Sequence, residues 1–204
     1  MTISKEVSKE EWTVEKLKKM KREELLELYK TLPAPAFEEM DGEYNGHTLD
    51  TGSELGNQMS EWVMNKTAMG IWKGKAYTPI TSTTGEGYNR YVIDGKERHH
   101  LRFGTDMNVS LFDGKPTLRM RYATFKNVSA RNDLIDEVRK LDEGIYLCTG
   151  AALDENGNRG PPTPFCLTGP IREYDHETEF YFGDEVKEQA IIPFDPKNKF
   201  KPNK

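Results

Sequence analysis

Arg98-His99-His100-Leu101-Arg102 is the densest run of groups in this chain able to exchange a proton or hold an anion. A histidine titrates close to neutral pH and can act as a general base, and a nearby guanidinium can stabilise developing negative charge. Successive side chains of an extended strand point to opposite faces, so the pattern puts His99 on one face and Arg98, His100 and Arg102 on the other. The same alternation stops both histidines from ligating one metal, and no metal site is expected. A solvent-facing or hydrogen-bonded histidine would explain these residues equally well.

Asp136-Glu137-Val138-Arg139 is the second such run. Leu134, Asp136 and Val138 share one face of a strand, and Ile135, Glu137, Arg139 and Leu141 share the other, so each face carries a charge beside apolar neighbours. If the strand closes a barrel, at least one ionisable group points inward. A buried carboxylate is costly unless paired, which leaves an ion pair to Arg119 or Arg121 on the neighbouring strand, or a perturbed acid/base group. The ion pair is the simpler of the two.

The candidate site therefore has His100, His99 and Glu137 as catalytic base and acid. Arg102, Arg121 and Arg119 would bind the ligand's oxygen, and Tyr122, Tyr88, Trp72 and Phe103 would line the cavity. His47, Asp106 and Tyr88 also read as ordinary strand residues, and most of the aromatic residues serve equally well as core. The chain carries no Gly-x-Ser-x-Gly elbow, Walker loop, dinucleotide fingerprint, Cys-x-x-Cys or His-Glu-x-x-His, and no cofactor is expected.

The elements that must position these groups are strands. Across residues 85–150 apolar and polar positions alternate, with Leu118, Met120 and Tyr122 on one face and Thr117, Arg119 and Arg121 on the other. Asp94-Gly95, Asp113-Gly114 and Asp142-Glu143-Gly144 supply hairpin turns. An antiparallel meander of this kind closes into a barrel or a sandwich because an open sheet leaves edges exposed. Before it, Val14, Leu17, Met20, Leu25, Leu28 and Tyr29 recur at helical spacing, as one surface helix or two short ones, stopped by Pro33 and Pro35. Residues 37–40 read as a helical turn, and 53–69 as an amphipathic helix with Leu55, Met59, Trp62 and Val63 on adjacent turns, lying over a barrel mouth or along its side. Asp154 to Pro162 is a turn-rich loop, and Phe180-Tyr181-Phe182 reads as one more short strand.

The chain has 204 residues and a net charge of −5, and its basic residues are interspersed with acidic ones, which argues against a nucleic-acid partner. No apolar run is long enough for a membrane span and the first thirty residues are charged throughout, so a cytoplasmic location without a membrane partner is expected. The two cysteines, Cys148 and Cys166, read as reduced, buried thiols. Three Asn-x-Ser/Thr sequons, at Asn65, Asn108 and Asn127, are discounted because no secretory signal accompanies them. The expected organisation is a frayed segment 1–12, one barrel domain over 13–192 and an extended tail over 193–204.

A resemblance to a known family runs discontinuously from about residue 25 to 152. Leu28-Tyr29-Lys30-Thr31-Leu32-Pro33, Glu38-Glu39-Met40, Gly42-Glu43-Tyr44-Asn45-Gly46 and Leu49-Asp50-Thr51-Gly52 resemble the opening of the Gly-x-Trp-x-Gly family of small proteins of unassigned function. Tyr44 stands where that family has tryptophan. The segment 70–77 resembles the family's glycine-aromatic-lysine strand. Arg119-Met120-Arg121-Tyr122, Val128-Ser129-Ala130, 134–142 and Tyr146-Leu147 resemble its companion domain of unknown function. The insertion at 81–89 and the chain beyond Asn156 depart from the pattern. The resemblance implies a calycin-like or lipocalin-like barrel with an aromatic side chain plugging one end, which predicts Tyr44 buried there beside the N-terminal helix.

The expected fold is thus mainly β: an antiparallel calycin-like barrel with an N-terminal helix and one helix between early strands. Such a barrel can enclose one small apolar molecule, here one bearing a carbonyl or carboxylate. Three functions compete: a cofactor-independent isomerase, cyclase or lyase, a non-catalytic carrier, and a partner-binding module with a filled barrel. The protein would be a monomer or homodimer.

Overall fold

The computed structural model describes residues 11–125, 127 and 133–180. Most of the 1–12 segment, the Val128-Ser129-Ala130 match, most of the Asn127 sequon, positions 181 and 182 and the 193–204 tail lie outside the described residues.

The N-terminal apolar periodicity forms two helices, α1 (Val14–Lys19) and α2 (Arg22–Thr31). Thr13 Oγ1 caps α1 by accepting the Lys16 amide, Glu24 accepts the Lys21 amide at the start of α2, and α2 stops at Thr31, with Leu32 as its C-cap before Pro33. A 3-10 turn over Phe37–Glu39 follows, then β1 (Gly42–Thr48), α3 (Glu54–Asn65), β2 (Ile71–Pro79), β3 (Thr84–Ile93) and β4 (Lys96–Val109). The chain continues through β5 (Pro116–Arg121), a 3-10 turn at Tyr122–Thr124, β6 (Leu134–Asp142), β7 (Ile145–Ala152) and β8 (Thr163–Arg172).

Each strand pairs antiparallel with the next, and β1 pairs with β8, closing an eight-stranded barrel. Closure removes the free edges that a meander would otherwise expose. The Asp/Gly turns at 94–95 and 142–144 join β3 to β4 and β6 to β7, and the turn at 113–114 lies in the link between β4 and β5. Residues 134–142, whose apolar spacing also suits a helix, are a strand paired on both sides.

Tyr44, Tyr77, Phe103, Leu118, Met120, Val138, Tyr146 and Leu167 belong to one buried cluster inside the barrel. Tyr44 is fully buried and packs edge-on against Tyr77 and Tyr146, with Phe37 and Met40 in the same cluster and its hydroxyl donating to Glu39 O at 2.9 Å. The plug therefore sits beside the 3-10 turn at 37–39, whereas α1 and α2 pack on the outside of the wall, where Leu17, Leu25 and Tyr29 meet Leu147 and Cys166. The helices go there because outward-facing Leu147 and Cys166, cross-strand partners, offer an apolar patch to the helical stripe.

α3 departs from expectation. Leu55, Met59 and Trp62 are 68%, 59% and 57% exposed, while Met64, on the opposite side of the helix, packs against the barrel cluster. Bonds from Thr51 N and Asn57 Nδ2 that tie Asn57 to Thr51 and Asp50, together with the Ser53 cap, fix the start of the helix in this orientation. Among the described residues no helix is long and apolar enough to cross a membrane.

Candidate functional site

Directly opposed residues of an antiparallel pair point to the same face, so one belt of interior positions can be followed from strand to strand. Tyr44 opposes Lys75, Lys75 opposes Asn89, and Asn89 opposes His100. On the far wall Met120 opposes Asp136, which opposes Gly150. The belt thus brings a lysine, an asparagine and an aspartate into an aromatic interior.

Lys75 Nζ donates to Asn89 Oδ1 at 2.8 Å and to Tyr122 OH at 2.6 Å, and lies 3.0 Å from Asp136 Oδ2. Tyr122 OH donates to Asp136 Oδ2 at 3.0 Å, Asn89 Nδ2 donates to Leu101 O, and Trp72 Nε1 donates to Asn89 Oδ1 at 3.1 Å. The rings of Trp72, Phe103, Tyr122 and Phe165 surround the ammonium at 5.3–5.8 Å from their centroids. A cation desolvated among aromatic faces is held by their quadrupoles as well as by its counter-ion. Small residues make room for the cluster: a Cβ at Gly46 would run into the Trp72 indole, and one at Gly150 would stand 2.7 Å from Asp136 Oδ1.

The cluster lies toward the barrel end opposite Tyr44. There Met64, Met69, Leu134 and Phe165 are only partly buried against the core, and the Asp136 side chain keeps 11% of its surface exposed, against 4% for Lys75. His100 stands at the same end, stacked on Tyr91 at 4.2 Å with Nε2 3.1 Å from Met69 O. Desolvation lowers its pKa to about 4, so the ring is neutral at physiological pH.

Of the residues expected to form the site, His100, Trp72, Phe103 and Tyr122 face the interior. His99, Glu137, Arg102, Arg119, Arg121 and Tyr88 do not, and the grouping of Arg102, Arg121 and Glu137 with His100 inside the barrel is corrected. One bulge separates Arg102 from His100: Asn89 opposes His100 but Gly87 opposes Phe103, so β4 holds an extra residue at Leu101, whose φ is 52°. That residue reverses the alternation, and Arg102 points outward to Glu86 at 2.8 Å between the Phe125 and Phe180 rings. Arg119 and Arg121 both pair with Asp106, at 3.2 and 3.1 Å, instead of with Glu137. Glu137 is fully buried under the β4–β5 link, where it accepts from Ser110 Oγ at 2.7 Å and Leu111 N at 2.5 Å, with Arg159 3.8 Å away.

Tyr88 and His99 stack on each other at 4.3 Å on the outer wall, covered by Tyr174 and Phe180. Tyr88 OH donates to Glu43 Oε1, while His99 contacts Glu97 and Thr178. Glu43, Glu97 and His99 bring ligand atoms within 4.8 Å of one another, but Arg90 and Arg172 already occupy both carboxylates, so this is an ion-pair network in which two guanidinium charges take a metal's place. Burial alone would raise the Glu97 carboxyl; hydrogen bonds from Arg90 and His99 and the charges of Arg90 and Arg172 hold it at about 2. The His47 ring contacts Thr168 Oγ1 through Nε2, and Cys148 and Cys166 are free and buried.

No protein-family model and no curated protein matches this chain. Two solved structures align with it. A protein from Thermomonospora curvata is 19% identical with a TM-score of 0.49, covering 76% of this chain and 89% of that one. An odorant-binding protein from bovine nasal mucosa is 14% identical with a TM-score of 0.36, covering 67% and 75%. The fold assignment rests on the closed hydrogen-bond register of the barrel itself.

Sequence reasoning missed Lys75 and Asn89, and weighed Asp136 only as one of two faces of its strand. Lys75 did carry a signal: it is the one charged residue in Gly74-Lys75-Ala76-Tyr77, a run that is buried throughout.

Proposed function

We propose that the barrel is a carrier for one small, largely apolar molecule bearing a carbonyl or carboxylate, taken up through the end lined by Trp72, Met69, Leu134 and Phe165. The observation that carries this reading is the Lys75 ammonium, held among four aromatic rings just below that end. An eight-stranded barrel is wide enough for side chains to fill it or for one small ligand, and a buried cation with an aromatic surround suits an oxygen on an otherwise apolar body. The resemblance to the Gly-x-Trp-x-Gly family and a cytoplasmic location belong to the same proposal, the latter supported by sparse cysteine use.

A carrier is favoured over an isomerase, cyclase or lyase because the acid and base expected for catalysis lie apart: His100 faces inward beside Tyr91, while Glu137 and His99 face outward under separate coverings. Native mass spectrometry of the purified protein, with titration of an aryl carboxylate followed by Trp72 fluorescence, tests the reading. Saturable quenching that disappears in Trp72→Phe is the expected result, and no uptake of any apolar carboxylate or carbonyl compound sinks it. The exposed Leu55, Met59 and Trp62 of α3 favour a second reading, a partner-binding surface, which sedimentation of the pure protein tests first for the homodimer.

A further inference from the structure

Lys75 is placed for more than an ion pair. Its amine is buried toward the barrel end where Met64, Met69, Leu134 and Phe165 pack only partly buried against the core, not at the Tyr44 plug, and the carboxylate 3.0 Å from it retains 11% exposure. Primary amines in this setting react with aldehydes, because a low-dielectric surround excludes the water that hydrolyses the product and a fixed counter-ion stabilises the cation formed. We propose that Lys75 forms a reversible Schiff base with an apolar aldehyde, so that the barrel holds this ligand class covalently. The inference rests on the proposed binding of carbonyl compounds.

The step balances without any other reactant. Asp136 accepts one ammonium proton, and the freed lone pair of Nζ attacks the carbonyl carbon, forming the C–N bond as the C=O π pair moves to oxygen. Asp136 returns its proton to that oxygen, giving a carbinolamine whose nitrogen still carries two protons. The carboxylate then removes one of them. The nitrogen lone pair expels hydroxide, which takes the proton from Asp136 and leaves as water. The products are a protonated imine with one N–H, one water and an ionised Asp136 beside the iminium. Tyr122 OH, which donates to Asp136 Oδ2 at 3.0 Å, holds the carboxylate in place through these transfers, and Trp72, Phe103 and Phe165 surround the iminium as they surround the ammonium.

The whole chain is incubated with cinnamaldehyde and cyanoborohydride, and labelled peptides are mapped over time, with exposed Lys73 on the same strand as the internal reference. The expected result is a single reduced adduct at Lys75 forming at least tenfold faster than at Lys73, and slowed at least tenfold by Asp136→Asn. Because Lys75→Met alone leaves Asp136 unpaired, the control is the folded double variant Lys75→Met/Asp136→Leu, in which the fast adduct must vanish. Cinnamyl alcohol, which cannot form an imine, is titrated in parallel by Trp72 fluorescence. Saturable binding of the alcohol with labelling at Lys75 no faster than at Lys73 overturns the Schiff base and leaves the carrier reading intact. Absence of both binding and labelling overturns both.

Discussion

Lys75 Nζ and Asp136 Oδ2, 3.0 Å apart, join β2 to β6 across the lumen, on strands that stand four apart in a ring of eight. The pair is thus a strut through the barrel, bonded also to Asn89 and Tyr122. Removing one partner strands the other charge in an apolar interior, whereas replacing both with apolar residues of similar size does not. Lys75→Met and Asp136→Leu should each lower stability by about 3–5 kcal/mol, and the double variant should recover most of that loss. Denaturant unfolding of the four proteins gives the coupling; additive losses would refute the strut.

Tyr44 closes the other end of the barrel, fully buried against Tyr77 and Tyr146. Tyr44→Ala should cost about 3–5 kcal/mol, as for other buried large aromatics. Tyr44→Phe, which keeps the ring and loses the hydroxyl's bond to Glu39 O, should cost about 1 kcal/mol. Unchanged unfolding midpoints would remove the plug.

Glu137 fastens the β4–β5 link through Ser110 and Leu111 and takes no part in the interior. Glu137→Gln should destabilise the fold by roughly 1–3 kcal/mol, since a buried amide cannot satisfy the same donors with equal strength. Ligand affinity, read by Trp72 fluorescence, should not change; a selective loss of binding would restore Glu137 to the site.

His100 sets a pH response. Its folded pKa is about 4, lowered by desolvation from 6.5. Above 6.5 both states are neutral and the residue has no effect on stability. As the pH falls below 6.5 the unfolded chain takes up a proton that the native ring refuses, so stability declines until about pH 4, by up to about 1.4 kcal/mol per pH unit. Glu97, held at about 2 against 4.5, adds a separate loss below 4.5. His100→Phe should reduce the slope of the upper window, to which His47, also lowered by burial, still contributes, and leave the lower window unchanged; an unaltered slope between pH 6 and 4.5 in a series of unfolding curves would refute the assignment.

Trp62 and Trp72 provide a contrast. Trp62, 57% exposed, should tolerate serine within ~0.5 kcal/mol, while Trp72, 8% exposed over Gly46, should cost about 3–5 kcal/mol on truncation to alanine. Thermal unfolding of both variants checks this.

The meander was legible in the sequence because strand period and turn chemistry are local: Leu118, Met120 and Tyr122 alternate with Thr117, Arg119 and Arg121, and the Asp/Gly pairs leave few other backbone paths. The helix boundaries at Pro33 and Ser53 were legible for the same reason. The face of each strand turned to the lumen was not. Strict alternation put Arg102 beside His100, and only the extra residue at Leu101, fixed by pairing with β3, sends them to opposite sides. Nor could a local pattern join Lys75 to Asp136, 61 positions apart and on opposite walls, since their meeting requires β1 to pair with β8 and close the ring. A buried charge finds its partner by closure of the whole barrel, so the periodicity of its own strand carries no record of it.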